Sequence, residues 1–284
     1  MTNLRKYFLP HTAVLVECLD SNKQEIQTAT ASGFIRQENE RFFLYTCWHA
    51  VTGLHPDRIS IERDFMQRRY LRVSLQSFRD EGALKVIGGL RSFVVPLYEE
   101  SDSTSRPLWY QVIRHTPHAG LNSIGLFVPI KDAVKIEIFP EAPFGEYQVI
   151  TNDMLLSLDG NPLLSPGEKA FIVGYPYGYS LRGSKFLTPI VLTRFVAGTS
   201  LLGNTPTVLE GFGAPGMSGG PAFVERGNDI LLFGIYSGTL YPDNDRARPS
   251  PITALGQVVD LSLYLDETWP WVREGFLVSE LGTR

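Results

Sequence analysis

The chain has 284 residues, of which 43% are hydrophobic and 12% aromatic, enough for one large or two smaller packed units. Its formal charge is −4, and no strongly basic stretch is present to neutralise phosphates, which argues against nucleic acid as a partner. No run of about 18 apolar residues spans a bilayer. The two cysteines, Cys18 and Cys47, make no disulfide framework, and no secretion signal is visible from Met1 to Val16. These features predict a soluble, cytoplasmic protein with no membrane partner.

The apolar pattern repeats every two residues far more often than every 3.6. In chain order it predicts strands over Thr12–Cys18, Gln27–Ile35, Phe42–Trp48, Arg58–Glu62, Tyr70–Leu75 and Leu84–Val95. Further strands are expected over Ile124–Val128, Val134–Ile138, Tyr147–Thr151, Ala170–Gly174, Phe186–Val196, Pro221–Val224 and Ile230–Tyr236. Turn-forming residues separate them at Gln37–Arg41, Asp80–Gly82, Asp159–Pro162 and Arg226–Asp229. Many short strands divided by Gly and Pro turns predict an all-β sandwich or barrel. A very short helix is expected after His49, and a short C-terminal helix over Leu255–Leu265. Glu99–Ser105 and Pro140–Gly145 read as loops. The second marks the expected boundary between an N-terminal unit, residues 1–140, and a C-terminal unit, residues 141–284.

Two segments carry chemistry. The first is Gly216-Met217-Ser218-Gly219-Gly220-Pro221. A serine among glycines sits in a tight turn whose backbone reaches conformations closed to other residues. The N–H groups of such a turn can converge on one small volume, as an oxyanion hole requires. Taken alone, a Gly/Ser turn is more often only a turn. The second segment is Thr46-Cys47-Trp48-His49-Ala50, at the end of the apolar stretch Phe42–Tyr45. Imidazole titrates near neutrality and can take a serine proton, although a lone histidine is more often structural. The conjunction decides between these readings, because a serine hydroxyl needs a base to become a nucleophile.

Ser32-Gly33-Phe34-Ile35, Thr46–Ala50, Gly216–Pro221 and Gly234-Ile235-Tyr236-Ser237-Gly238 occur in an order that resembles the trypsin/chymotrypsin-like serine proteases. Gly174-Tyr175-Pro176-Tyr177-Gly178 is similar to a segment of the bacterial stand-alone members. The resemblance covers roughly residues 12–268. It implies two six-stranded β-barrels packed at an angle, with His49 and Ser218 in the cleft between them. It further implies an oxyanion hole from the N–H groups of Gly216 and Ser218. A protein or peptide substrate would pair along Tyr236, Ser237, Gly238 and Thr239 by strand addition. No cofactor and no metal is implied.

The third member of the triad departs from the family pattern, which has an aspartate just before an apolar strand. The best match by spacing is Asn122-Ser123-Ile124-Gly125-Leu126-Phe127, with Ser123 lying 95 residues before Ser218. Asn122 or Ser123 would then be a neutral orienter. Asp80 is a weaker candidate, within an apparent hairpin turn, and Asp132 and Asp153 rank below it. Three readings stay open: a neutral orienter with slow or conditional activity, a carboxylate reaching His49 from elsewhere, and a protease fold that has lost full activity and binds peptides or proteins.

The residue six positions before the nucleophile, at the base of the primary pocket in the family, is Phe212. With no carboxylate there, the expectation is an apolar or small residue before the cleaved bond. The chain has no Ile-Val-Gly-Gly start, so the resemblance is to forms made without a zymogen step. Control by an activating partner protein, by loop ordering or by the altered triad stays open. Gly211–Gly216 formally matches the dinucleotide pattern GxGxxG but lacks its strand–helix setting and is interrupted by Pro215. His115 and His118 have no cysteine or acid at ligand spacing nearby. Cys47 reads as a buried small residue rather than a nucleophile.

Overall fold

A computed structural model describes residues 9–54, 68–81, 84–99, 106–112, 131–139, 147–156, 164–178, 188–199, 207–211, 213–240, 255–260, 271 and 273. The fold is built from two antiparallel sheets with almost no helix.

The first sheet holds β1 (Ala13–Leu19), β2 (Glu25–Glu38), β3 (Arg41–Thr46), β4 (Tyr70–Glu81), β5 (Leu84–Pro96), β6 (Trp109–Tyr110) and β7 (Val134–Ile138). Its order is β5-β4-β1-β2-β3-β7-β6. The strands follow from side-chain alternation: β7 buries Val134, Ile136 and Ile138 and turns Lys135 and Glu137 outward. The β2–β3 hairpin turns through Asn39 and Glu40, whose φ values of 45° and 67° match the twist that a two-residue hairpin needs.

The second sheet holds β8 (Lys169–Gly174), β9 (Ile190–Gly198), β10 (Thr207–Leu209), β11 (Pro221–Arg226), β12 (Asp229–Leu240) and β13 (Leu255–Asp260). Pairing runs β10-β13-β12-β11-β8-β9, and β9 pairs back to β10, so the six strands close on themselves. Closure removes the exposed edges that an open sheet presents.

One hydrophobic cluster gathers β1, β2 and β3 together with Val173, Tyr175, Phe223, Leu232 and Ile235 of the second sheet. The two sheets therefore share a core where they meet. A second cluster, with Leu209, Met217, Phe233, Tyr236 and Val258, fills the closed sheet.

Three expectations are corrected. The first sheet has seven strands rather than six. Leu255–Asp260 is a strand, not the start of a helix: it pairs with both β10 and β12, and that tertiary pairing overrides a short local pattern. The rest of the expected helix, 261–265, lies outside the described residues. Tyr147–Thr151 forms no strand. It makes a single bridge, Ile150 to Arg36, and the chain continues to a bridge between Leu155 and Leu232, tying one sheet to the other. The short strands Trp109–Tyr110 and Thr207–Leu209 were not foreseen. Arg58–Glu62 and Ile124–Val128 lie outside the described residues. Among the described residues no helix is long and apolar enough to cross a membrane.

Candidate active site

His49 is positioned by the end of β3. Residues Phe43–Thr46 are buried, Cys47 remains extended, and α1 (Trp48–Thr52) begins immediately. The helix is a little over one turn long. Gly53 closes it in the left-handed conformation, φ 78°, donating its N–H to His49 O at 2.8 Å. Arg68 Nη1 donates to the carbonyls of His49 (2.9 Å) and Ala50 (2.8 Å). Trp48, Ala50, Val51 and Thr52 are all buried, so the helix is anchored around His49, whose side chain is 26% exposed.

Asp132 grips this histidine twice. Its Oδ1 accepts the His49 main-chain N–H at 3.0 Å, and its Oδ2 lies 2.6 Å from the ring Nδ1. The carboxylate is 6% exposed. An ionised carboxylate only accepts, so this contact favours the tautomer with the proton on Nδ1 and Nε2 as the acceptor. Strand register explains the placement. β3 and β7 run antiparallel with Thr46 opposite Val134, so the residues just before β7 meet those just after β3.

Ser218 lies in the turn before β11, and its main chain is held from several directions. Its carbonyl accepts Ser32 N–H at 2.7 Å. Gly219 N–H donates to Tyr236 O at 2.7 Å, and Tyr236 N–H donates to Gly220 O at 2.9 Å. Ser32 Oγ donates to Gly216 O at 2.8 Å and accepts Tyr175 N–H at 2.9 Å. Met217, fully buried, plugs the turn into the core. Glycine is obligatory at 219: φ is +91°, and a Cβ would lie 2.0 Å from Ser32 O. Among the described residues, no acceptor is bonded to the N–H of Gly216 or of Ser218. The turn thus presents two amides, one residue apart, beside the hydroxyl. Ser218 Oγ itself is 3.5 Å from Ser237 O.

The two segments converge on one carbonyl. Tyr236 O accepts from Gly219, directly after Ser218, and from Cys47 Sγ at 3.4 Å, two residues before His49. Ser32 forms a second link, since its carbonyl accepts Thr46 Oγ1 at 2.8 Å while its N–H reaches Ser218. The histidine helix, the aspartate and the serine turn therefore meet where the end of the first sheet touches β12.

Cys47 is fully buried, and burial pushes its thiol well above the usual range, with the nearby Asp132 carboxylate adding to the effect. It stays a neutral thiol. Among the described residues, Cys47, His49 and Asp132 form the group with donor atoms close enough, within 4.8 Å, to hold a metal ion. Both Asp132 oxygens are already engaged by His49.

The histidine's partner is thus Asp132, the candidate that sequence reading ranked near the bottom. Asn122, Ser123 and Phe212 lie outside the described residues, as do His55, His115 and His118. Asp80 lies opposite Lys85 in the β4–β5 hairpin, and Asp153 accepts from Thr151 Oγ1. A signal for Asp132 was present: Asp132-Ala133-Val134 is an aspartate just before an apolar strand, nine residues beyond Ser123. Of the expected substrate strand, Tyr236 and Ser237 are buried, and Gly238 and Thr239 are half-buried. No family model matches this chain, and no curated protein matches it.

Proposed function

We propose that this chain is a serine endopeptidase on the two-barrel chymotrypsin-like plan, with Ser218 as nucleophile, His49 as general base and Asp132 as the triad acid. The observation that carries the reading is the double grip of Asp132 on His49. It selects the tautomer in which Nε2 can take a proton, and it supplies the negative charge that stabilises the imidazolium once formed.

In this mechanism a protein or peptide lies along Ser237–Thr239. His49 Nε2 removes the Ser218 proton as Oγ attacks the scissile carbonyl. The N–H groups of Gly216 and Ser218 receive the developing oxyanion; they are fixed beforehand, so no reorganisation is needed. The imidazolium then protonates the leaving amine, and water, activated by the same nitrogen, releases the acyl group. Cys18 and Cys47 are buried and form no disulfide, which fits a reducing compartment such as the cytoplasm.

A peptide-binding module without catalysis drew its support from a missing acid, and a carboxylate in contact with His49 removes that ground. The test is covalent labelling by a fluorophosphonate. Wild-type protein is expected to label on Ser218, and Ser218→Ala and His49→Ala are expected not to. An unlabelled wild type, purified and in lysate of its source cells, refutes the assignment.

A further inference from the structure

Tyr236 stands immediately before Ser237 on β12, and its main chain is bonded to the nucleophile turn through Gly219 and Gly220. Its side chain, 1% exposed, runs back along that turn. The phenol oxygen accepts the N–H of Gly213 at 2.7 Å, five residues before Ser218, and lies 3.4 Å from Thr239 Oγ1. The ring covers Gly213 closely: a Cβ there would lie 2.6 Å from the phenol oxygen and 2.8 Å from Cε1. Its other edge faces Gly256 of β13, where a Cβ would lie 3.4 Å from Cε2. Glycine at 213 is what lets the ring lie this close to the turn.

The phenol therefore spans from the segment that leads into Ser218 to the strand Ser237–Thr239. Those are the two walls between which a substrate side chain next to the cleaved bond must fit, if its backbone runs along β12 and its carbonyl reaches Ser218. Gly238 is open by comparison: among the described residues, no atom lies within 4 Å of a Cβ placed on it.

Resting on the reading of Ser218 as nucleophile, we propose that Tyr236 fills the pocket beside it and restricts the residue before the cleaved bond to glycine or alanine. A larger side chain enters only if the ring swings out. That movement would strip the buried Gly213 amide of its acceptor, so it is disfavoured. The expectation of an apolar or small residue thus narrows to a small one, for a reason independent of Phe212.

The test uses p-nitrophenyl esters of N-blocked Gly, Ala, Leu and Phe. Acylation rates are normalised to the Ser218 sites counted by fluorophosphonate. Wild type is expected to acylate with the Gly and Ala esters about 100-fold faster than with the Phe ester. Tyr236→Ala is expected to raise the Phe-to-Gly rate ratio by at least about 10-fold. Tyr236→Phe keeps the ring but not its bond to Gly213, so it is expected to raise the Phe-to-Gly ratio to a value between those of wild type and Tyr236→Ala, and this comparison stands even if the alanine variant does not fold. Wild-type protein that labels on Ser218 yet takes Leu or Phe esters as fast as Ala overturns the inference alone. So does a folded Tyr236→Ala protein whose Phe-to-Gly ratio is unchanged. Failure to label Ser218 at all overturns the nucleophile assignment, and the inference with it.

Discussion

Asp132→Asn is the most demanding test of the site. The aspartate makes two contacts with one residue, Oδ1 to the His49 amide at 3.0 Å and Oδ2 to Nδ1 at 2.6 Å. An amide of nearly the same shape can keep one. Its oxygen can still accept the main-chain N–H, which places its NH₂ against Nδ1. Two donors cannot face each other, so Nδ1 gives up its proton, the proton moves to Nε2, and the base points the wrong way. The negative charge that stabilises the imidazolium is lost as well. For this change in a Ser-His-Asp triad the expected fall in kcat is about 10⁴, a barrier increase of about 5.4 kcal/mol. Asp132→Ala goes further, because the His49 amide then loses its buried acceptor, at a stability cost of about 1–3 kcal/mol. The assay is the second-order rate of fluorophosphonate labelling, with folding checked by denaturant midpoint. A folded Asp132→Asn protein labelling within about tenfold of wild type would refute the role given to Asp132.

Other expectations follow from the same structure. Gly219→Ala forces a methyl onto Ser32 O at a left-handed φ, so labelling should vanish and stability should fall by about 2 kcal/mol or more; wild-type behaviour in both assays would show that the turn is built differently. Glu38, 10% exposed, sits between Arg36 and Lys135, bonded to them at 3.1 and 2.7 Å. Glu38→Ala leaves those cations unbalanced in a buried site and should cost about 3–5 kcal/mol by denaturant melts, and a loss below about 1 kcal/mol would contradict this. Burial holds the His11 pKa below its usual value of 6.5, with its ring 5.1 Å from Phe78. The unfolded chain then binds a proton more readily than the folded one, so this residue contributes a loss of stability as pH falls through 6.5 toward the folded pKa. His11→Phe should flatten melting temperature against pH over that window, and an unchanged slope would argue against this desolvation of the ring.

Much of the candidate site is legible locally. The glycines around Ser218 mark a turn because no other residue accepts φ +91° with a Cβ 2.0 Å from a carbonyl. His49 after a buried strand is legible because β3 is apolar and ends at Cys47. Val134–Ile138 was predicted to the residue because its alternation is clean and its ends are marked. The aspartate was missed for the opposite reason. Asn122–Phe127 offered the better spacing, and spacing along the chain is a poor guide when the insertions between strands vary in length. Cys47 was read as a buried small residue, which it is, but its contact with Tyr236 O could not be anticipated, since it joins residues 189 apart.

The sequence by itself determined most of the long strands, many of their turns, and which serine and histidine stand at strand ends, because side-chain alternation, glycine conformational freedom and apolar runs all act within a few residues. Tertiary structure alone decided which acid serves the histidine, since that depends on the register that sets Thr46 opposite Val134. It also turned Leu255–Asp260 into a strand, through pairing on both sides. And it laid the Tyr236 ring over Gly213. Each of these is a choice of neighbour between distant segments, made by burial and strand pairing across the whole fold, and local pattern by itself does not settle it.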